Sequence, residues 1–574
     1  MRQVIVLKFG SSVLRTPEDL PNVVHEIYRW YRQGYRVVAV VSAIGDTTEQ
    51  LIRASRLFTE LPEPFAMAEL LSTGERTSAA LLGVALDRAG VPARVVNPRE
   101  IGLEVAGRPL DSAPVRLDTQ RALELLRDYP VLIVPGFFGT DTAGRTHLLG
   151  RGGSDLTAAF LAGELKARCR LLKDVDGVYE SDPAQRNAHP RRFAALDYED
   201  ALRVAGKLIQ PKAVDYLHSR RTSCEFAALA LPYHTLVHAG STQRATKSPP
   251  NKLDVVILGL GTVGFGVYQR LCANPNQFRV VGVLVRDPAR HEAAGVPPAL
   301  LHTRADSLRT LKPAVIIDAL PGLEASHALL KHYLAHGVDG VSANKAVIAE
   351  FGRALTEIAE QSGATLRFSA AIGGSAPMLE AIGDARKRGN LRSLVAVLNG
   401  TCNFLLDACA RGDSLNSAIG EAQQLGFAEA DPTEDTCGRD AARKAAILAR
   451  RAFGVEATVA KVQALDESVA ELARAAVASG QRLRQLSRAT LNGAEATLSV
   501  AFESVGPESP HYSLSGEWNA LSLALEDGAT RHVRGRGAGR WPTTEAVIAD
   551  VFDIARLRLG HEREHLSGSR LANA

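Results

Sequence analysis

The chain has 574 residues, with 67 Lys and Arg against 63 Asp and Glu and a formal net charge of +4. That length holds about three to five domains, and a composition of 46% hydrophobic and 23% charged residues is ordinary for globular proteins and excludes a disordered chain. The basic residues are dispersed, with no run of five or six like charges, so nothing points to nucleic acid; no stretch of about 20 apolar residues points to a membrane. The N-terminus, MRQVIVLKFG, lacks the charged and apolar regions of a signal peptide. Six cysteines without a CxxC pair predict reduced, buried thiols in a cytoplasmic protein and no structural zinc.

The opening alternates strands with helices. Apolar runs at 3–8 (QVIVLK), 36–42 (RVVAVVS), 130–134 (PVLIV) and 170–173 (RLLK) end at Gly, Ser, Pro-Gly or Asp, and helix-like segments such as 68–89 lie between them. This pattern predicts a mostly parallel sheet, whose strand ends bind ligands. Residues 240–252 (GSTQRATKSPPNK) have no apolar periodicity and read as a linker. A second α/β unit follows, with strands at 253–258, 279–285, 313–317 and 339–342; from about 366 the alternation fades, and 411–453 reads as strongly helical.

Four strand-end clusters of the first unit suit phosphoryl transfer, which needs positioning, positive charge on the moving oxygens and a carboxylate-held metal. They are Lys8-Phe9-Gly10-Ser11-Ser12, SAIGDTT (42–48), GRGGSD (150–155, before a helix starting near Leu156) and KDVDGVY (173–179). Any one alone reads first as a turn closing a strand, although the three glycines around Arg151 in GRGGSD are more than a turn needs. GxxxxGK[ST] is absent, which excludes a P-loop. Together KFGSSV, VVSAIGDTTEQL, LLSTGERTSAALL, VPGFFGTDTAGRTHLLGRGGSDLTAA, KDVDGVYESDPA and AGKLIQPKAV resemble, in order, the aspartate kinases of the amino-acid kinase fold. The resemblance implies that Lys8, Gly10 and Ser11 contact the ATP phosphates, Lys8 at the transferred one. It implies that Thr47, Glu75, Arg151 and Ser154 bind aspartate, and that Asp155 stands between substrate and phosphate. Asp174, Tyr179 and Lys207 would line the nucleotide, with Mg2+ arriving on ATP and no protein metal site assigned. Ser11 stands where such kinases usually have a second glycine, Lys173 where they usually have a small hydroxyl residue, and LIQP (208–211) where they have VLHP.

GLGTVG (259–264), after a strand and before a helix, is a dinucleotide fingerprint in its required context. Gly259, Gly261, Thr262, Val263 and Gly264 are the candidate pyrophosphate residues. Arg286, after the second strand, favours NADP over NAD, with a plain surface arginine as the alternative. Asp440 and Lys444, four apart, share a helix face. In isolation they read as a solvated ion pair, but the acidic stretch GFAEADPTED before them suits a site where lysine carries a proton. ILGLGTVGFGV, SANK, AAIGGSAPMLEAI, LNGTCNFLL, AQQLGFAEADPTEDTCGRDAARK and GRGAGRWPTTEAVIADV resemble homoserine dehydrogenases over 253–556. The likeness implies Lys444 as the proton donor and acceptor and Asp440 as the residue that orients substrate. Glu429 would hold the amino group, Lys345 would act at the reacting carbon and nicotinamide, and Thr401 and Gly373 would line the pocket. It also implies a monovalent cation, Na+ or K+, on backbone carbonyls near the GGxxP turn.

The two resemblances imply a bifunctional aspartate kinase/homoserine dehydrogenase of the threonine and methionine pathway. The expected organisation is an α/β/α amino-acid-kinase-type domain at 1–243, a linker at 244–252 and a Rossmann domain at 253–365. An α+β substrate and dimerisation domain at 366–540 and a returning helix with a tail at 541–574 would follow. Fused proteins of this kind usually carry paired ACT-type domains between the halves, and about ten residues cannot hold one, so threonine or lysine inhibition by that route is not expected. Small-molecule substrates and a homodimer or higher homo-oligomer are expected. Two alternatives stay open: an active dehydrogenase with a degenerate kinase half, resting on Ser11 and Lys173, and a non-catalytic nucleotide and amino-acid sensor.

Overall fold

The computed structural model describes residues 3–182, 190–204, 210–231, 233–245 and 252–559. The described residues form two compact units, the first from those of 3–88 and 92–245 and the second from 89–91 and 252–558. Both are α/β.

In the first unit, Val4–Phe9 lies between Arg36–Val41 and Arg168–Lys173 and runs parallel to both. These strands are apolar on both faces because helices cover both faces. They are the centre of a nine-stranded sheet that continues through Val131–Pro135 to Ala93–Val95 on one side. On the other it continues through Cys224–Ala228, His234–Val237 and Phe193–Leu196 to Gln243–Arg244, so the last strand takes up the first residue of the expected linker. The chain leaves Val4–Phe9 toward one side and returns on the other, a switch point where open α/β sheets form a crevice. Lys8 and Lys173 stand at that end of adjacent strands. The helix Gly153–Glu164 is buried along most of its length and begins three residues before the expected Leu156, because left-handed Gly152 (φ 73°) caps it. Val6, Val38, Phe160 and Leu171 are among the core residues.

The second unit opens with a six-stranded parallel sheet in the order Leu301–His302, Phe278–Leu284, Leu253–Leu258, Val315–Asp318, Asp339–Ser342, Leu366–Arg367. In chain order that is 3-2-1-4-5-6, the doubly wound dinucleotide arrangement. A second six-stranded sheet joins Ala457–Val462, Glu495–Val505, Arg482–Asn492, Leu391–Val397, Trp518–Leu525 and Thr530–Arg536. Buried and open positions alternate along Glu495–Val505 and Thr530–Arg536, and the face under the Met378–Arg388 and Arg439–Phe453 helices mixes Ala396 and Ala489 with Leu498, Val500, Leu521 and Val533. The 411–453 stretch is not one helical run. It breaks into Leu415–Gln424, Thr433–Thr436 and Arg439–Phe453, interrupted by left-handed Gly426 and by Asp431-Pro432. The final helix, Arg540–Leu559, packs on the nucleotide-fold sheet, with Phe552 edge-on to Phe278 at 4.9 Å.

The cysteines are not uniformly buried as expected. Cys169, Cys224, Cys402 and Cys409 are, whereas Cys272 is exposed and Cys437 half-buried. Among the described residues no helix is long and apolar enough to cross a membrane.

Candidate active sites

The first site forms at the switch point of the nine-stranded sheet. Lys8 Nζ lies 2.6 Å from Asp155 Oδ1, and Lys173 Nζ donates to Asp155 Oδ2 at 3.0 Å. Two ammonium groups thus hold one buried carboxylate, and one positive charge is left over. Burial opposes the charge on Asp155, but Lys8 and Lys173 outweigh it and hold the carboxyl below its ordinary range. Burial pushes the Lys8 ammonium down against the pull of Asp155, and Lys173 adds to the push. A Cβ at Gly10 would lie 2.6 Å from Lys8 Nζ, so a larger residue there would displace the lysine tip and not the backbone.

Glu75, on the Pro64–Arg88 helix, is 3% exposed. Its Oε1 accepts the Ala43 N–H at 3.2 Å, while Oε2 is buried without a partner. Burial raises its pKa to about 7 despite the Ala43 N–H and the charge of Lys8. Thr47 begins the helix beside it, its hydroxyl donating to Ile44 O at 2.6 Å and its methyl close to Gly74. Ser154 is buried in the first turn of the Gly153–Glu164 helix, next to Asp155. Arg151 is exposed in a turn between left-handed Gly150 and Gly152. Ser11 and Asp174 are exposed, and Tyr179 donates to Asp176 Oδ1 at 2.7 Å, its hydroxyl pushed up by burial and by that carboxylate. Lys207 lies outside the described residues. The structure thus joins Lys8 to Asp155 directly and brings Glu75 within electrostatic reach of Lys8. The contact that motif spacing did not anticipate is Lys173 on Asp155.

The second site has two parts. A cleft of about 320 Å³ opens at the carboxyl ends of Leu253–Leu258 and Val315–Asp318, lined by Thr262, Val263, Leu320, Lys345, Gly539 and Thr543 among others. Gly259 (φ 90°) turns sharply there, and a Cβ would meet Ala319 O at 2.9 Å. Gly264 lets the helix close on the turn, where a Cβ would sit 2.0 Å from Gly259 O. Gly261, at the helix N-cap, has nothing within 4 Å of where a Cβ would be. A tight turn, an unobstructed glycine and a helix N-terminus fit a pyrophosphate. Arg286 is exposed just past the second strand, and Asp287 after it caps the next helix by accepting the Arg290 N–H at 3.4 Å.

The second part is the Asp440–Lys444 pair, and it is not a solvated surface pair. Lys444 is 6% exposed, and its Nζ donates to Asp440 Oδ2 at 2.7 Å and to Leu398 O at 3.0 Å. Burial opposes the charge on Asp440, but Lys444 and Lys345 hold its carboxyl low. Lys345 starts the Lys345–Ser362 helix and keeps an open face to solvent; the Lys444 charge, then burial, lower its pKa against the pull of Asp440, Asp435 and Glu429. Asn344 fixes Lys345 by capping this helix through the Ala346 and Val347 N–H groups, while its amide donates to Leu320 O and Gly322 O. Thr401 donates to Phe427 O at 2.9 Å, which pins the start of the acidic stretch. Glu429 is exposed, and Gly373 is buried at the end of the Ser369–Gly373 helix. The reading of single motifs missed Asn344, Asn399 and Asp435, although SANK, LNGTCNF and GFAEADPTED contain them. Among the described residues no cluster of three or more His, Cys, Asp or Glu could hold a metal.

Comparisons with known proteins agree with this division. The amino acid kinase family matches residues 3–225. The NAD-binding domain of homoserine dehydrogenase matches 259–369, and the homoserine dehydrogenase family matches 377–552. An aspartokinase of Helicobacter pylori is 36% identical over 203 residues, 35% of this chain and 50% of that protein, so the chain spans half its length. A homoserine dehydrogenase of Synechocystis sp. is 32% identical over 317 residues, 52% of this chain and 72% of that protein. The crystal structure of a homoserine dehydrogenase from Thiobacillus denitrificans superposes with a TM-score of 0.50 at 29% identity, covering 55% of this chain and 76% of that one. The chain therefore belongs to the homoserine dehydrogenase family, with an amino acid kinase domain joined ahead of the dehydrogenase portion.

Proposed function

We propose that the chain carries out two reactions of one biosynthetic route: ATP-dependent phosphorylation of the aspartate side-chain carboxylate, and NAD(P)H-dependent reduction of aspartate semialdehyde to homoserine. The observation that carries this reading is the pair of Lys–Asp contacts, Lys8–Asp155 at the carboxyl end of the parallel strand Val4–Phe9, and Lys444–Asp440 on the Arg439–Phe453 helix, within electrostatic reach of Lys345 in the dinucleotide cleft.

In the kinase half, the surplus positive charge of Lys8 and Lys173 over Asp155 suits a phosphoryl group, and Asp155 aims Lys8 rather than reacting itself. Thr47, Glu75, Ser154 and exposed Arg151 are the proposed aspartate contacts, with Arg151 on a substrate carboxylate. ATP with Mg2+ is the proposed donor, near Gly10, Ser11, Asp174, Tyr179 and Lys207.

In the dehydrogenase half, Gly259, Gly261, Thr262, Val263 and Gly264 would hold the cofactor pyrophosphate, and the exposed Arg286 favours NADP. The cofactor, when bound, supplies the hydride to the carbonyl carbon. Lys444 gives its Nζ proton to the carbonyl oxygen in reduction and takes the hydroxyl proton in oxidation. Asp440 holds Lys444 in place, and Lys345 adds positive charge at the reacting oxygen. Glu429 is the proposed partner of the substrate ammonium, with Thr401 and Gly373 shaping the pocket.

The test is aspartate-dependent ADP release by the purified chain, with hydroxylamine trapping the acyl phosphate, beside homoserine-dependent NADP reduction. Both reactions are expected. Reduction of NADP without acyl phosphate would mean a kinase half that no longer turns over.

A further inference from the structure

The turn between strand Leu391–Val397 and helix Gly400–Ala410 touches both members of the Lys444–Asp440 pair. The Leu398 carbonyl accepts Lys444 Nζ at 3.0 Å and Asn519 Nδ2 at 3.3 Å. Asn399, 4% exposed, uses both ends of its amide. Its Oδ1 accepts the Cys402 N–H at 2.8 Å and caps the helix. Its Nδ2 donates to Asp435 Oδ1 at 2.6 Å and to Asp440 Oδ2 at 3.0 Å. That orientation is determined, because a flipped amide would turn its oxygen on two carboxylates and its NH2 on an N–H donor.

We propose that Asn399 is a positioning residue of the dehydrogenase reaction, its single amide holding Asp435 and Asp440 side by side as carboxylates so that Asp440 stays available to Lys444. The inference rests on the dehydrogenase reading above. Two carboxylates brought together without donors between them share a proton, since like charges at close range cannot both ionise. Such a proton would occupy the Asp440 oxygen that now accepts Lys444. The other groups about this amide do not replace it as a donor. Cys402 Sγ donates to Asp435 O at 3.4 Å and Cys437 Sγ to Glu434 O at 3.7 Å, and Lys345 and Glu429 act on the cluster electrostatically. Arg439 and Arg443 are paired with Glu434.

The experiment separates this role from helix capping. Asn399→Ser and Asn399→Asp both keep an oxygen for the Cys402 N–H, and both residue types cap helices as well as Asn. Neither can donate to two carboxylates at once. Homoserine-dependent NADP reduction by the intact chain is followed from about pH 6 to pH 10, with thermal melting and aspartate-dependent ADP release alongside. Asn399→Asp is expected to lose about 100-fold in kcat/KM above neutral pH and to regain activity as pH falls, when the third carboxyl takes a proton and becomes a donor. Asn399→Ser is expected to lose about tenfold, with the acid limb of its profile moved up by about one pH unit and melting unchanged. A serine variant with the parent rate and profile would make Asn399 a helix cap only and overturn the proposal. So would a uniform loss at every pH accompanied by lower melting. A parent chain that oxidises no homoserine at any pH would overturn the dehydrogenase reading itself.

Discussion

The two sites solve one problem, keeping a lysine and an aspartate charged while buried, with opposite residual charge. At the sheet of the first unit, Lys8 and Lys173 share Asp155, and the nearby Glu75 takes up a proton near neutrality. The balance is positive, as a phosphoryl group requires. At the Arg439–Phe453 helix, Lys444 and Lys345 meet Asp440, Asp435 and Glu429. The balance there is negative, as a substrate bearing an ammonium group requires. The construction differs too. The first cluster joins residues from strand ends and a helix start far apart in sequence, so it exists only once the sheet has formed. The second has its lysine–aspartate pair within one helical turn, where burial turns an ordinary i, i+4 pair into a reactive one, and draws Lys345, Asp435 and Glu429 from neighbouring segments.

The largest effects should come from cutting each pair separately. Lys444→Ala removes the proton carrier and is expected to lower homoserine oxidation by about 10³-fold or more while leaving aspartate-dependent ADP release intact. Lys8→Ala should do the reverse, with a loss of about 10²–10³-fold in acyl phosphate formation and unchanged NADP reduction. Both are read in the same two assays on the same preparations. Loss of both activities in either variant would mean that the pairs serve the stability of the chain and not separate reactions.

Glu75 gives an effect of intermediate size, and its sign is determined. Its carboxyl titrates near 7 folded and at its ordinary value of about 4.5 unfolded. Between those values the folded state binds the extra proton, so stability is greatest at low pH and falls as pH rises through the window. The fall is about 1.4 kcal/mol per pH unit and about 3 kcal/mol in all. Glu75→Gln keeps an oxygen for the Ala43 N–H and removes the titration. Its urea midpoint should change less between pH 5 and pH 7 than that of the parent, and it should be the more stable protein at pH 8. Identical slopes would place the Glu75 titration outside this window.

Much of this was legible in sequence, for identifiable reasons. Glycine turns after apolar strands located both crevices, and at Gly259 the left-handed backbone and the nearness of Ala319 O favour glycine. The Asp440–Lys444 spacing was visible but ambiguous, since burial is set by the sheet beneath the helix. That sheet is built from antiparallel hairpins such as Arg482–Asn492 with Glu495–Val505, and not from the strand–helix repeats that marked the other two. Asn344 and Asn399 were overlooked because an Asn before a helix reads as a cap. It is a cap here, and only the fold shows that the other end of each amide reaches a neighbouring loop or a carboxylate. Lys173 was marked as unusual for its position, but nothing in the sequence said that it would point at Asp155.

That residue gives the smallest expected effect and the sharpest test of the comparison. If surplus positive charge is what the first site contributes, Lys173→Thr should leave Lys8 on Asp155 and weaken ATP, raising its KM about three- to tenfold with kcat within about twofold. Kinetics at saturating aspartate measure this directly. The competing account is that Lys173 draws Asp155 away from Lys8, since each ammonium holds one oxygen of the same carboxylate. On that account the threonine variant would show a higher kcat and an unchanged KM. The split between KM and kcat decides between them, because a group that binds the nucleotide and a group that competes for Asp155 act on different steps. A rise in kcat would make the second lysine a restraint on the kinase half. A rise in KM alone would make it part of the phosphate site, and the two buried pairs would then differ in charge for the reason their substrates do.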